Sequence, residues 1–420
     1  MPDAPSFKAP VGTHDVLPPA SARWEALLAI FAGHATLAGY GLLQSPLFED
    51  LAVFARLGEG TDVVTKEMYE LTDKGGRQLA LRPEGTAPVV RAFVQHHPPT
   101  PWKVWYATPS FRYERPQAGR FRQHHQVGVE VIGSPDPYVD VEVIALGWDY
   151  LHALGLTRMV LLLNSMGTPD DRRRFVAHLG AWLDERRRDL APEDREKIDT
   201  HPMRVLDSKR EATRAAVVDA PRITDHLSDG AAAHFERVKD GLGALGIPFA
   251  LEPRLVRGFD YYTNTTFEVQ AQAIDAAQST VLGGGRYDGL VEQLGGPATP
   301  GIGFGSGIER ALLACDAEAA FPAPPSAIQA FVVDITDGTA ARDLTLALRR
   351  AGIAADRAFD GRSMRSQMKA ADRSGATFAV IVGDDELVAG TVTLRRLRGE
   401  VVDQQAVPRP DLVEFLRKQL

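Results

Sequence analysis

Apolar residues recur at close to helical spacing between Ser21 and Gly39: Trp24, Leu27, Leu28, Phe31 and Leu37. Gly39 and Gly41 end that helix, and Pro46 opens an extended segment. Core packing accounts for such a helix; a place at a subunit contact is the lesser alternative. Lys103–Tyr106 and Val127–Ile132 read as strands on either side of an arginine-rich loop. Around the second, Gln126, Gly128 and Glu130 alternate with Val127 and Val129, so one face is apolar and the other polar. From about Thr168 to Ile247 the chain turns rich in Arg, Asp, Glu, Ala and Leu, which predicts a self-contained helical insertion. Strand patterns return at Leu255–Tyr262 and Thr265–Gln270, and glycine dominates Gly283–Gly307. Phe321-Pro-Ala-Pro-Pro325 is a stiff linker. Beyond it, Gln329–Asp334, Ala354–Ala355, Phe378–Val382 and Thr391–Arg396 alternate with helical patterns at Ala340–Ala351, Ser363–Ser374 and Asp411–Gln419. That alternation predicts a small α/β domain. The chain is thus expected to divide into residues 1–165, 166–250, 251–321 and 327–420.

Composition narrows the class. The 420 residues are 44% hydrophobic and 24% charged, ordinary for a globular chain. The one cysteine, Cys315, excludes an intrachain disulfide and a multi-cysteine zinc site. No apolar run approaches a membrane span, and Met1–Pro10 has no apolar core, so a soluble cytoplasmic protein with no membrane partner is expected. The net charge of −8 argues mildly against nucleic acid, but its distribution is uneven. Residues 328–420 hold 14 Lys and Arg against 13 Asp and Glu, which leaves the excess of acid in the rest of the chain. A local basic surface on an acidic body can still bind RNA.

Five segments are candidates for chemistry. In Leu81-Arg-Pro-Glu-Gly-Thr-Ala-Pro88, Glu84 and Thr86 flank a glycine; on an extended segment they point the same way and together suit an ammonium group, or else they form a solvated turn. Phe111-Arg-Tyr-Glu-Arg-Pro-Gln-Ala-Gly-Arg120 and the following Phe121-Arg-Gln-His-His-Gln126 place Arg112, Arg115, Arg120 and Arg122 within a hairpin-like stretch. Guanidinium groups there can grip phosphate, and a solvated basic loop is the alternative. The polar face of Gln126, Gly128 and Glu130 suits a small ligand lying on a sheet, or a solvent-facing sheet edge. Leu255-Val-Arg-Gly-Phe-Asp-Tyr-Tyr262 offers Arg257 for a developing phosphate charge and Tyr262 for a polar ring, unless the tyrosines are core aromatics. Leu282-Gly-Gly-Gly-Arg-Tyr-Asp288 and Gly301-Ile-Gly-Phe-Gly-Ser-Gly-Ile-Glu-Arg310 lack a P-loop's Gly-Lys-Ser/Thr; the second reads as a glycine-lined strand entering a helix with Glu309 and Arg310.

Together these segments resemble the class II aminoacyl-tRNA synthetases. Ser21–Gly39 with Pro46 is similar to class motif 1, Phe111–Arg115 to motif 2 and Gly301–Arg310 to motif 3. Leu255–Tyr262 and Gly284-Gly-Arg-Tyr-Asp-Gly289 resemble signatures of the histidyl-tRNA synthetase family. Pro202–Lys209, Asp384-Asp-Glu386 and Gly390-Thr-Val392 extend the likeness almost end to end. Phe259, where the family usually has Leu, and Thr108-Pro109, where Gly-Pro is common, depart from the pattern without needing to touch substrate.

The resemblance implies an α+β catalytic domain on an antiparallel sheet with flanking helices (1–165 and 251–321), interrupted by the insertion, and a small C-terminal α/β anticodon-binding domain with a mixed sheet. It implies ligation of L-histidine to its tRNA in a homodimer, with ATP as substrate and Mg2+ beside it, through a histidyl-adenylate. Arg112, Arg257 and Arg310 are then catalytic, with Arg120 also on ATP. Glu84, Thr86, Arg112, Gln126, Glu130, Arg257, Tyr261, Tyr262 and Tyr287 hold histidine. Arg115 and Gln117 meet the tRNA acceptor end, and Arg362, Arg365, Lys369 and Arg373 form a basic helix face for the anticodon. Regulatory synthetase-like subunits usually lack the C-terminal domain and catalytic residues; this chain keeps Arg112, Arg257, Arg310 and residues 328–420.

Overall fold

The computed structural model describes residues 7–56, 66–206, 208–255, 261–275, 278–398 and 403–420. They form two compact units, which meet at Pro322–Ala323 inside the proline-rich stretch.

The first unit opens with α1 (Ala20–Leu37), β1 (Gly41–Leu42), β2 (Phe48–Asp50), α2 (Leu51–Ala55), β3 (Tyr69–Thr72), β4 (Gln78–Leu81) and α3 (Thr86–His96). Then follow β5 (Trp102–Phe111), β6 (Gln123–Ile132), α4 (Pro137–Ala153) and β7 (Met159–Ser165). The stretch read as an insertion is helical, with α5 (Pro169–Glu185), α6 (Pro192–Arg195), α7 (Met203–Leu206), α8 (Glu211–Ala216) and α9 (Asp229–Ala244). The chain returns through β8 (Phe249–Leu251), β9 (Thr263–Ala271), β10 (Thr280–Arg286), α10 (Leu290–Gln293), β11 (Gly301–Gly307) and α11 (Ile308–Ala317).

Eight strands form one sheet in the order β1-β5-β6-β11-β10-β9-β7-β8. Its six inner strands pair antiparallel, as the resemblance implies, and only the short edge strands β1 and β8 run parallel to their neighbours. A three-stranded antiparallel sheet, β2-β4-β3, stands apart.

The alternation along β6 sorts the two faces. Val127, Val129 and Val131 join Phe267, Leu282 and Phe304 under Leu27 and Phe31 of α1 and Ile144 and Tyr150 of α4. Burying each large apolar side chain there contributes about 1.5–3 kcal/mol. Leu27, Phe31 and Ala35 lie four apart on the buried stripe of α1. Leu37, expected on that stripe, is 91% exposed, because six residues past Phe31 the helix has turned well off the face. The helical stretch is also not self-contained: Phe235, Val238 and Leu242 of its last helix, α9, belong to the same core as α4 and the sheet. A second core lies around α3, with Val104 and Tyr106 of β5, and takes in Tyr261, Tyr262 and Tyr287.

Leu255–Tyr262 was expected to continue as a strand. Residues 256–260, Arg257 and Phe259 among them, lie outside the described residues. Tyr261 and Tyr262 occupy a turn immediately before β9, not a strand.

The second unit contains β12 (Ala330–Asp334), α12 (Thr339–Arg350), β13 (Ala355–Arg357), α13 (Met364–Arg373), β14 (Phe378–Val382), α14 (Asp384–Ala389), β15 (Thr391–Arg396), β16 (Gln404–Pro408) and α15 (Leu412–Gln419). Its sheet, β13-β12-β14-β15-β16, is mixed: β13, β12 and β14 are parallel, and β15 and β16 antiparallel.

Candidate functional site

The polar face of β6 and the loop between β5 and β6 enclose a cavity of ≈ 240 Å³ with the α3 start, β10 and α11. Glu84, Thr86, Arg112, Arg120, Gln126, Tyr261, Tyr262 and Arg310 all line it, so one site collects eight of the expected residues from across the chain.

Its basic wall follows from the hairpin. The Arg112 N–H donates to the Arg122 carbonyl (2.8 Å), which keeps both arginines at strand ends. The loop closes where Gln117 and Arg120 exchange backbone bonds of 3.1 and 2.9 Å around Gly119, whose φ of +67° suits glycine. Arg115 and Gln117 are exposed at the tip. Arg310, on the first turn of α11, donates through Nε to the Gly119 carbonyl and through Nη1 to the Thr280 carbonyl, both at 3.1 Å. Arg112 is oriented by an Nε bond to the Pro83 carbonyl (2.9 Å), and Arg120 by Glu114 (3.4 Å). Burial and the charges of Arg120 and Arg112 pull the Arg310 pKa below its ordinary value. Arginine stays protonated regardless, so three guanidinium groups face one space in which a polyanion would relieve their repulsion.

The other end is acidic and aromatic. Glu84 was expected on an extended segment with its carboxylate open to a ligand. Instead it sits at the start of α3, where the Thr86 and Ala87 N–H groups each donate to it at 2.7 Å. Unsatisfied amides at a helix start attract a carboxylate, which explains the difference. Burial raises the Glu84 pKa, against those hydrogen bonds and the nearby Arg112.

Glu130 lies wholly buried behind the lining. The Thr86 hydroxyl (2.7 Å) and the Tyr106 hydroxyl (3.4 Å) donate to Oε1, and the Tyr287 hydroxyl (2.6 Å) donates to Oε2. Tyr287 was expected to close the cavity; it does not line it, and braces Glu130 from behind. Burial, helped by the charge of Glu84, pushes the Glu130 carboxyl up to about 8 in spite of these bonds. The folded chain therefore holds this proton more tightly than the unfolded chain. Stability should fall as pH rises from the ordinary glutamate range, ~4.3, towards that raised value. Glu130→Gln, which imitates the protonated acid, should flatten this part of a urea-midpoint profile. An unchanged slope would deny Glu130 the role.

The gap at Gly128, expected to leave room for a ligand, is already filled. A Cβ there would stand 2.4 Å from the Tyr106 hydroxyl and 2.5 Å from the Phe304 carbonyl. Tyr106 is directly opposite, paired with Gly128 across β5 and β6. Gly128→Ala should cost about 1–3 kcal/mol by overpacking, measurable in urea; a loss under a few tenths would show that Tyr106 has room to move.

Four titratable residues of the lining carried no role in the sequence: Tyr106, Glu114, His124 and Glu309. His124 had a readable signal, because counting back in twos from Glu130 through Gln126 reaches it. Burial and the charges of Arg112 and Arg310 push its imidazole down to about 3, so it is neutral near pH 7. Glu309 accepts from the His125 N–H (3.0 Å) and contacts its ring Nδ1 (2.9 Å). Glu114 and Tyr106 needed the loop fold and the strand register.

In the second unit, Arg365, Lys369 and Arg373 of α13 line a groove with Arg395 and Arg396 of β15. Arg362 is not on that helix. It precedes the N-cap Ser363, pairs with Asp360 (3.4 Å) and lines a different hollow. Among the described residues no group of three His, Cys, Asp or Glu side chains could hold a metal ion, and no helix is long and apolar enough to cross a membrane.

A family model described as histidyl-tRNA synthetase matches residues 12–311, and one described as anticodon binding domain matches residues 329–419. The histidine–tRNA ligase of Geobacillus kaustophilus is 45% identical over 425 residues, covering 99% of each chain. That of Synechococcus sp. (strain WH7803) is 48% identical over 410 residues, covering 94% of this chain and 92% of its own. A crystal structure of apo S. aureus histidyl-tRNA synthetase superposes with a TM-score of 0.82 at 35% identity, covering 98% of this chain and 100% of that one.

Proposed function

The chain belongs to the histidyl-tRNA synthetase family and is a class II enzyme that charges tRNA with histidine using ATP, and from that premise we propose a reaction through histidyl-adenylate. The histidine carboxylate attacks the α-phosphorus of ATP, and the bond to the β-phosphate breaks to release pyrophosphate. The terminal ribose hydroxyl of tRNA then attacks the acyl carbon and releases AMP.

The observation that carries this reading is the polarity of the cavity. Three arginines form one end; buried Glu84 with Tyr106, Tyr261 and Tyr262 forms the other, and Glu130 and Tyr287 stand behind it. A polyphosphate at the first end and a cationic or hydrogen-bonding amino acid at the second complement both. Arg112 binds the α-phosphate and aligns the histidine carboxylate, Arg310 holds the γ end and Arg120 assists. Arg257, outside the described residues, supplies a further positive charge at the α-phosphate. Glu84, Thr86 and Gln126 hold the amino acid's ammonium and carboxylate. Tyr262 pairs with an imidazole nitrogen, Tyr261 flanks the ring, and Glu130, held in place by Tyr287, acts on the ring through the Thr86 and Tyr106 hydroxyls that donate to it from the lining. Catalysis is then positioning and charge stabilisation, with no protein nucleophile. Magnesium enters with ATP, as part of that substrate.

We further take residues 166–250 as an insertion between the halves of the catalytic domain, and the second unit as the anticodon reader, with its α13–β15 groove for the RNA backbone. Arg115 and Gln117 meet the acceptor end. A cytoplasmic homodimer completes the reading. Pyrophosphate exchange into ATP, run with each amino acid in turn, tests the first step: histidine alone should support it, and exchange with another amino acid but not histidine contradicts the assignment.

A further inference from the structure

A polar chain that does not line the cavity runs behind Tyr261 and Tyr262, which do, and behind Tyr287, which braces Glu130. Arg286, 1% exposed, donates through Nε to Asp140 Oδ1 (3.1 Å) and through Nη1 to the Ser134 carbonyl (3.0 Å) and Asp288 Oδ1 (3.3 Å). The second oxygen of Asp288 accepts from Asn264 Nδ2 (3.1 Å), and the Asp288 N–H donates to Thr263 Oγ1 (3.1 Å). Asn264 stands two residues after Tyr262, at the start of β9. Asp288 immediately follows Tyr287, at the end of β10. The Asn264–Asp288 bond therefore joins the turn that carries Tyr261 and Tyr262 to the turn that carries Tyr287.

Both turns are anchored on their far sides. Asn264 adopts a left-handed backbone (φ +44°), which asparagine tolerates better than most residues. Its carbonyl accepts from the Met166 N–H (2.6 Å) and its N–H donates to the Gly167 carbonyl (2.8 Å), at the start of the helical stretch. At the other end of that stretch, His234 of α9 donates through Nε2 to Asp140 (2.8 Å), the partner of Arg286. The Tyr287 N–H donates to the Gly301 carbonyl (2.7 Å), which fixes its ring against β11. β9 and β10 already pair as far as Thr263 opposite Arg286, and the side-chain bond between Asn264 and Asp288 carries that connection past the end of the ladder, to the two turns themselves.

We propose that Asn264 and Asp288 are positioning residues that set the spacing between the Tyr261–Tyr262 turn and Tyr287, and through it the fit of the amino-acid side chain. This rests on the assignment of those tyrosines and Glu130 to histidine. Neither residue touches the phosphate end, so the effect should be confined to one substrate.

The test is pyrophosphate exchange with full kinetics for both substrates. Asn264→Gly keeps the left-handed backbone and removes only the amide; Asp288→Asn weakens the acceptor. Each should raise the KM for histidine by about tenfold, a modest share of what an ångström of misplacement costs. The KM for ATP should hold in both variants, and the thermal midpoint in Asn264→Gly; Asp288→Asn, which also removes a charge beside the buried Arg286, should lower the midpoint without moving the KM for ATP. The double variant should be no worse than the worse single one, because the two act as a pair. Thr263→Val, which removes the acceptor for the Asp288 N–H at nearly constant volume, gives the same reading should Asn264→Gly fold poorly. Equal rises in both KM values, additive losses, or an unchanged KM for histidine would overturn the proposal. If wild-type exchange requires a different amino acid, the substrate reading fails instead, and the KM split for that amino acid still decides the positioning role.

Discussion

Arg310→Ala is expected to lower the rate of histidine-dependent pyrophosphate exchange by about 10²–10³, the scale of removing one fixed donor from a developing charge. Two effects combine. The phosphate end loses one of three guanidinium groups, and the loop after β5 loses the tie from Arg310 Nε to the Gly119 carbonyl. Arg310→Lys separates them: it keeps the charge but not the planar fork that reaches both Gly119 and Thr280. Recovery of most of the rate by lysine would mean that charge dominates. Histidine binding measured without ATP should be unchanged in both variants, since Arg310 stands at the phosphate end. A parallel loss of histidine affinity would contradict the division of the cavity into two ends.

Asp140→Ala should destabilise the protein by about 3 kcal/mol, because it takes the nearer of two counter-ions from the buried Arg286 and leaves only the longer contact to the partly exposed Asp288. Few single substitutions cost as much. Asp140 holds the Arg286 guanidinium and His234 together across β10, α4 and α9, so the loss should appear as one shift of the whole urea transition of the first unit. The pH dependence has a definite sign. Burial pushes the Asp140 carboxyl up, but the bonds from His234 and Arg286 outweigh it and hold the pKa below the ordinary aspartate value. This stabilisation is present above the unfolded pKa, ~3.9, and is lost as pH falls through the lower folded value. Wild type and Asp140→Ala should therefore converge in acid; a gap that persists there would point to lost packing rather than to the ion pair.

Much of the site was legible because its parts are local. The apolar–polar alternation of Gln126–Glu130 assigns the two faces of β6, and the turn residues Pro116 and Gly119 predict the hairpin that brings Arg112 and Arg120 together. What escaped depends on pairing across the sheet. Nothing near Tyr106 in sequence says that Gly128 lies opposite it, so the glycine looked like an open gap. Nothing near Glu84 says that Thr86 begins a helix whose first amides need an acceptor, because Pro83 and Gly85 look like a turn. Arg286 within a glycine-rich strand could pass for a ligand contact; only the position of Asp140, 146 residues earlier, shows it to be a buried strut. The same limit applies to α9, whose polar composition concealed the Phe235–Leu242 face that packs on α4.

On this reading the cavity selects histidine for transfer to tRNA. Charging of unfractionated tRNA by the purified chain, with ATP and each labelled amino acid in turn, tests it most directly. Acid-precipitable label should form with histidine alone and be lost in Arg112→Ala. Charging with another amino acid, or charging with histidine that survives Arg112→Ala unchanged, would contradict it.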